Sequence, residues 1–303
     1  MDVMTVTGPI EPHELGFTQP HEHVLVDLAL AKSRWDYEGT LIDVDVALEE
    51  VRAYGEAGGS CLVEMTTADL GRDPAGLLRI STETEVKLVM GTGWYRQPYY
   101  PEMIDKTATS ALAEIILEEI VNGVGGTGIR PGVIGEIGCD RRWLSAQEER
   151  ALRAAARAQK GTNLGLMTHT PPGAAAAQLE VLHDEGVDLR RVAVGHADSL
   201  MDIDYHHSII STGAFISFDL VGQSLYPDAW RCQHLVELVR QGFAGSVLLS
   251  MDLCHRSRLK RWGGPGYGYL REQFLPRLRS AGATDEEIHQ ITVVNPRRFL
   301  AAV

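Results

Sequence analysis

The most constraining feature of this chain is a repeated alternation. A short, almost wholly apolar and β-prone run is followed by an amphipathic stretch, about eight times over. The apolar runs fall at 17–26, 60–67, 86–93, 132–138, 164–170, 191–197, 214–219 and 246–252. Helical candidates lie between them, at Ala47–Ala57, Ser110–Val121, Ala146–Gln159 and Cys232–Gln241. Continuous apolar runs are what parallel strands require when both faces of the sheet are covered by helices. About eight such units within 303 residues is the count of a closed ring of strands. The expected fold class is therefore α/β, a (β/α)8 TIM barrel, with residues 1–303 forming a single domain. A doubly wound open sheet satisfies the same strand count and remains the structural alternative.

Composition narrows the partners. Hydrophobic residues make up 44 % of the chain and charged residues 23 %, enough for one full core. The formal charge of -13 disfavours nucleic acid and anionic membranes, both polyanions, so a small-molecule substrate is expected. No run of about 18 apolar residues is present, so no membrane span is expected. Cys61, Cys139, Cys232 and Cys254 form no CxxC pair. The N-terminus lacks the basic-then-apolar pattern of a signal peptide, and together these point to a reducing, cytoplasmic setting.

Metal-capable side chains interrupt the apolar runs towards their C-terminal ends. His21 and His23 sit in the first, Glu136 in the fourth, His169 in the fifth, His196 in the sixth and Asp252 in the eighth. In a barrel all these ends open on one face, so residues remote in sequence converge there. Taken singly, each has a plain structural reading as a hydrogen-bonded strand-end residue. His21 and His23, two apart on a strand, project to the same side. Glu136 and Asp252 are acids in apolar surroundings and need a cationic partner. Divalent ions between two acids and four histidines would satisfy all six. The remaining histidines, His13, His183, His206, His207, His234 and His289, read as surface or packing residues.

This set resembles the metal ligands of the phosphotriesterase-related branch of the amidohydrolase superfamily. The blocks GFTQPHEHV, GVIGEIG, MTHT, VGHAD, SFDLVGQSLYPD, LLSMDLCHRSRLKRWGGPGYGYL and TVVNPRRFL carry the likeness over nearly the whole chain. The long block after the eighth run is most similar to the bacterial phosphotriesterase homology group. The resemblance implies a barrel with two divalent ions, usually zinc; manganese, iron or cobalt also suit imidazole and carboxylate donors. It further implies that His21, His23 and Asp252 hold the more buried ion, that His169 and His196 hold the more exposed one, and that Glu136 bridges them. A homodimer is also expected by resemblance. Family members that cleave phosphotriesters bridge their ions with a carboxylated lysine, and many carry a His or Arg where this chain has Leu220. Both departures count against efficient phosphotriester cleavage.

The expected chemistry is attack by a hydroxide shared between the ions, with Asp252 handling its proton. A carboxylic ester or lactone is the leading substrate class, with or without an anionic substituent. Amide hydrolysis of a small N-acyl compound and weak phosphoesterase activity are alternatives. A non-catalytic, metal-stabilised binding barrel is the reading from a different class. Trp94 and Tyr95, after the third run, are expected to line the substrate pocket, although loop packing explains them equally. His255 and Arg256, in a basic stretch with Arg258 and Lys260, are expected to meet an anionic group; a solvated loop explains them as well.

Overall fold

A computed structural model describes residues 2–31 and 37–301. Eight parallel strands, β1 (Thr18–Glu22), β2 (Cys61–Glu64), β3 (Lys87–Thr92), β4 (Val133–Gly138), β5 (Leu166–His169), β6 (Val192–Val194), β7 (Phe215–Phe218) and β8 (Val247–Leu249), pair in strict sequential order. Helices α1 (Val44–Glu56), α2 (Pro74–Thr84), α3 (Thr109–Asn122), α4 (Ala146–Thr162), α5 (Ala175–Asp184), α6 (Ile203–Ile210), α7 (Asp228–Arg240) and α8 (Leu275–Ala281) surround them. This is the (β/α)8 barrel, not the open doubly wound sheet. Every expected strand is present, but the ladders are shorter than the apolar runs. No helix is long and apolar enough to cross a membrane among the described residues.

The two faces of the strands feed two apolar cores. Leu62, Leu88, Ile134, Leu166, Val192, Ile216 and Leu249 point outwards into a large cluster shared with the helices. Their neighbours Val63, Val89, Val133, Met167, Ala193, Phe215 and Leu248 fill the lumen. This is the period-2 alternation of a strand buried on both sides. Below, Val3, Leu15, Phe299 and Leu300 plug the lumen, with an N-terminal hairpin (Val3–Thr5 against Gly8–Ile10) closing the floor. With the lower lumen packed, the open end is the C-terminal end of the strands.

Helix boundaries follow local chemistry. Ser145 caps α4 through a reciprocal capping box with Glu148, and Asp43 caps α1. The stretch after β8 folds into two 3-10 turns, Arg256–Arg258 and Lys260–Trp262, and reaches α8 through a π-helical turn at Leu270–Phe274.

Candidate metal centre

Strand geometry delivers the six side chains to one place. On β4 the register slips between Ile134 and Ile137, and both of these isoleucines face outwards. The bulge reverses the alternation, so Glu136 turns into the lumen. His196 and Asp252 lie just past the ends of β6 and β8, at φ 54° and 44°. That left-handed backbone is uncommon for residues other than glycine. It swings each side chain off the ladder and over the strand ends.

Glu136 lies at the centre. Its Oε1 is 3.3 Å from His23 Nε2, and its Oε2 is 3.4 Å from His21 Nε2, 3.0 Å from His169 Nδ1 and 3.5 Å from His196 Nε2. Asp252 Oδ1 is 3.3 Å from His23 Nε2 and 3.9 Å from His21 Nε2. Two ligand triads, His21–Glu136–His196 and His21–His23–Asp252, each have their donor atoms within 4.8 Å of one another. His169 joins through Nδ1, which is also 2.8 Å from His196 Nε2.

The rings are oriented from behind. Asp219, at the end of β7 and fully buried, accepts from His21 Nδ1 at 2.8 Å and from His196 Nδ1 at 2.8 Å. Its Oδ1 also accepts from the His196 backbone N–H at 2.9 Å. One carboxylate thus fixes the tautomer of two rings and turns both Nε2 atoms into the cluster. Asp219 is itself positioned by Asp198, which accepts from the N–H groups of Asp219 and Leu220 and pairs with the buried Arg231 at 2.8 Å. Thr66 meets His23 Nδ1 at 2.9 Å. The sequence reading missed Asp219, although an acid ending an apolar run was the signal that singled out Glu136 and Asp252.

The residues suit a divalent cation. His21 Nε2 is buried and makes no well-formed hydrogen bond, with Glu136 Oε2 3.4 Å away, while Nδ1 is committed to Asp219. A buried, unsatisfied nitrogen is costly unless something electropositive meets its lone pair. Protonation patterns in the metal-free protein agree. Burial alone would lower the His21, His23 and His196 pKa values. Asp219 and Glu136 instead hold His21 well above its usual value, and hydrogen bonds to Asp252 and Glu136 push His23 up to about 10. Asp219 and Glu136 likewise raise His196. Burial would raise the Glu136 and Asp252 carboxyls, yet the surrounding histidines hold both below the ordinary carboxylate range. Burial pushes His169 down to about 4. The carboxylates thus favour positive charge on the surrounding imidazoles, the charge a divalent cation would supply.

The expected substrate contacts are distributed differently. Tyr95 lies against the cluster, its hydroxyl 3.4 Å from His169 Nε2. Trp94 is buried within the hydrophobic core. His255 Nδ1 lies 3.3 Å from Cys254 Sγ. The Arg256 guanidinium is 4.3 Å from the Tyr37 ring centre and 4.2 Å from that of Trp262. Arg258 donates to the carbonyls of Met251 and Val221 and holds the loop together.

The chain is similar to known proteins over nearly its whole length. The chain is 35 % identical over 286 residues to the phosphotriesterase homology protein of Escherichia coli, covering 94 % of this chain and 97 % of that one. It is 28 % identical to an N-acetyltaurine hydrolase of Dictyostelium discoideum, covering 99 % and 98 % of the two chains. A lactonase from Listeria monocytogenes superposes with a TM-score of 0.94 at 29 % identity, over 99 % of each chain. The phosphotriesterase family model matches residues 1–300, so the chain belongs to the phosphotriesterase family and is a hydrolase.

Proposed function

We propose that this chain is a binuclear divalent-metal hydrolase acting on a carboxylic ester or lactone. The observation that carries the proposal is Glu136 set among four histidine nitrogens, with Asp252 beside them as a partly exposed carboxylate. His21, His23 and Asp252 would hold one ion, His169 and His196 the other, and Glu136 both. When bound, such ions acidify water towards neutrality and polarise a carbonyl oxygen. Imidazole and carboxylate donors suit zinc, with manganese, iron or cobalt as alternatives.

The chain's own groups supply the remainder. Asp252, held in its charged form, takes a proton at its carboxylate from the attacking water and returns it to the leaving group. With its Nδ1 lone pair given to an ion, His169 would carry its proton on Nε2 and donate to Tyr95 Oη, 3.4 Å away. The phenolic proton is then free to meet the substrate carbonyl oxygen. Arg256, over the rings of Tyr37 and Trp262, donates from one terminal nitrogen to the Thr40 carbonyl at 3.4 Å, and its remaining in-plane N–H groups would serve an anionic substituent. The N-acetyltaurine hydrolase relatives favour a second reading, hydrolysis of a small N-acyl compound, in which the proton from Asp252 serves an amine leaving group. Four free cysteines, all buried, support a reducing, cytoplasmic setting. The reading also includes a homodimer.

The test is turnover of lactone, ester and N-acyl amino acid panels by metal-loaded protein, before and after chelation. Asp252→Asn is expected to lower kcat by about 10²–10⁴ with a far smaller change in KM. Metal-loaded protein inert towards all three panels would support the binding-barrel reading, and unchanged turnover in Asp252→Asn would remove that residue from the chemistry.

A further inference from the structure

The paired strand order ends at β1 on one side and β8 on the other, so the ring is completed across a seam. The proposed ligands His21 and His23 stand on one side of that seam and Asp252 on the other. Side chains do most of the joining. Glu22, between the two histidines and fully buried, reaches across with both carboxylate oxygens. Oε1 accepts from the Met251 N–H at 2.8 Å and lies 2.8 Å from the Ser250 hydroxyl, while Oε2 accepts from the Leu253 N–H at 2.9 Å. The Ser250 hydroxyl also accepts from the His21 N–H at 3.0 Å and lies 2.8 Å from the His21 carbonyl. The Asp252 N–H donates to that same carbonyl at 3.2 Å.

We infer that Glu22, with Ser250, is the positioning residue for Asp252: a clasp that closes the barrel seam and thereby sets the ligand group straddling it. The amides on either side of Asp252 are both held by one carboxylate. The residue between them sits at φ 44°, a left-handed position that residues with a side chain occupy at some cost. Loosening the clasp lets Asp252 relax and carries its carboxylate away from His21 and His23. Glu136, His169 and His196 come from β4, β5 and β6, on the far side of the ring, and share none of the clasp's hydrogen bonds, although Glu136 also meets His21 and His23. The inference rests on the two-ion reading and adds an asymmetry to it: one ion site depends on the seam and the other does not.

The experiment compares wild type with Glu22→Gln, Ser250→Ala and Asn295→Ala. A glutamine replaces one acceptor by an N–H₂ that must face a backbone donor. Asn295 donates at 2.7 Å to the carbonyls of Ala244 and Val247 at the other end of β8, so its loss loosens the strand without touching the clasp. Hydrogen exchange of the Met251 and Leu253 amides in metal-free protein reads the clasp directly. Titration with Co²⁺, followed by absorbance and equilibrium dialysis, reads the two sites. In Glu22→Gln both amides should exchange faster, and one of two ions should weaken about 10–100-fold while the other holds. Ser250→Ala should show the same asymmetry, and Asn295→Ala should keep both affinities. Unchanged exchange in Glu22→Gln and Ser250→Ala, or an equal weakening of both ions there and in Asn295→Ala, overturns the clasp. Wild type that takes up fewer than two ions refutes the two-ion reading and with it the asymmetry, while the exchange result still decides whether the clasp exists.

Discussion

Replacing Asp219 by asparagine should cost the protein one ion and spare the other. Oδ1 of Asp219 accepts two bonds from His196, at 2.9 Å from the backbone N–H and 2.8 Å from Nδ1. Oδ2 accepts from His21 Nδ1 at 2.8 Å and shares the His196 N–H at a longer 3.2 Å. An asparagine is expected to place its oxygen where the two shorter His196 bonds converge, so its amide nitrogen faces His21. That ring then loses its acceptor and moves its proton to Nε2, the atom directed at Glu136 and Asp252. Loss of a hydrogen bond to a charged group costs about 1.5–3 kcal/mol. At about 1.4 kcal/mol per decade, this weakens the ion held by His21 roughly 10- to 100-fold, which matches the typical effect of removing a carboxylate behind a metal-bound histidine. The assay is calorimetric titration with Zn²⁺, paired with ¹H–¹⁵N NMR of the imidazoles to read each tautomer. Two ions weakened alike, or a His21 ring that keeps its proton on Nδ1, would refute the argument.

Two further outcomes follow from the same geometry. His23, raised to about 10, keeps its imidazolium proton in the metal-free protein at pH 8, and His21 and His196 are also raised above their usual values. Loading divalent ions should therefore release protons, seen as a buffer-dependent heat of binding. By linkage, the stability these histidines give the metal-free protein is complete below about pH 6.5, their unfolded value, and disappears as pH rises through the folded values. Chelated protein should accordingly melt lower at pH 10 than at pH 7, and a flat melting profile with no proton release would contradict the assignment. Gly138→Ala should displace His169, because an added Cβ would stand 2.3 Å from the His169 Cβ and carbonyl oxygen on the paired strand. Overpacking of this kind costs about 1–3 kcal/mol; the expected readouts are a lower melting temperature and a weakened ion on the Glu136–His169–His196 side, and wild-type values for both would show that the strand yields without moving the ligand.

The parallel architecture was legible because such strands leave little choice of composition: a stretch buried on both faces must be apolar, and about eight such stretches fit a ring, while only the pairing order in the structure separates the ring from an open doubly wound sheet. The same rule exposed Glu136, His169 and Asp252, since polar groups in those runs demand a reason. Strand ends were overextended because the sequence shows apolarity, not hydrogen bonding. His196 and Asp252 leave the ladder at left-handed positions that no residue type announces. Glu22 was invisible for another reason. Alternation sends it to the side opposite the two histidines, and its partners lie some 228 residues away across the seam. Arg256 and Arg258 announced charge but not company. Tyr37, Trp262 and the carbonyls they meet come from folding of the loop, which spacing does not encode.

The seam has a consequence for the life history of the molecule. An ion held by His21, His23 and Asp252, as proposed, would tie the first strand to a segment beyond the last, so an incomplete chain would lack that site. During synthesis such a site would form only after the eighth strand had emerged and docked. The ion would then act as a removable cross-link around a loop of more than two hundred residues, the span over which restricting an unfolded chain has its largest entropic effect.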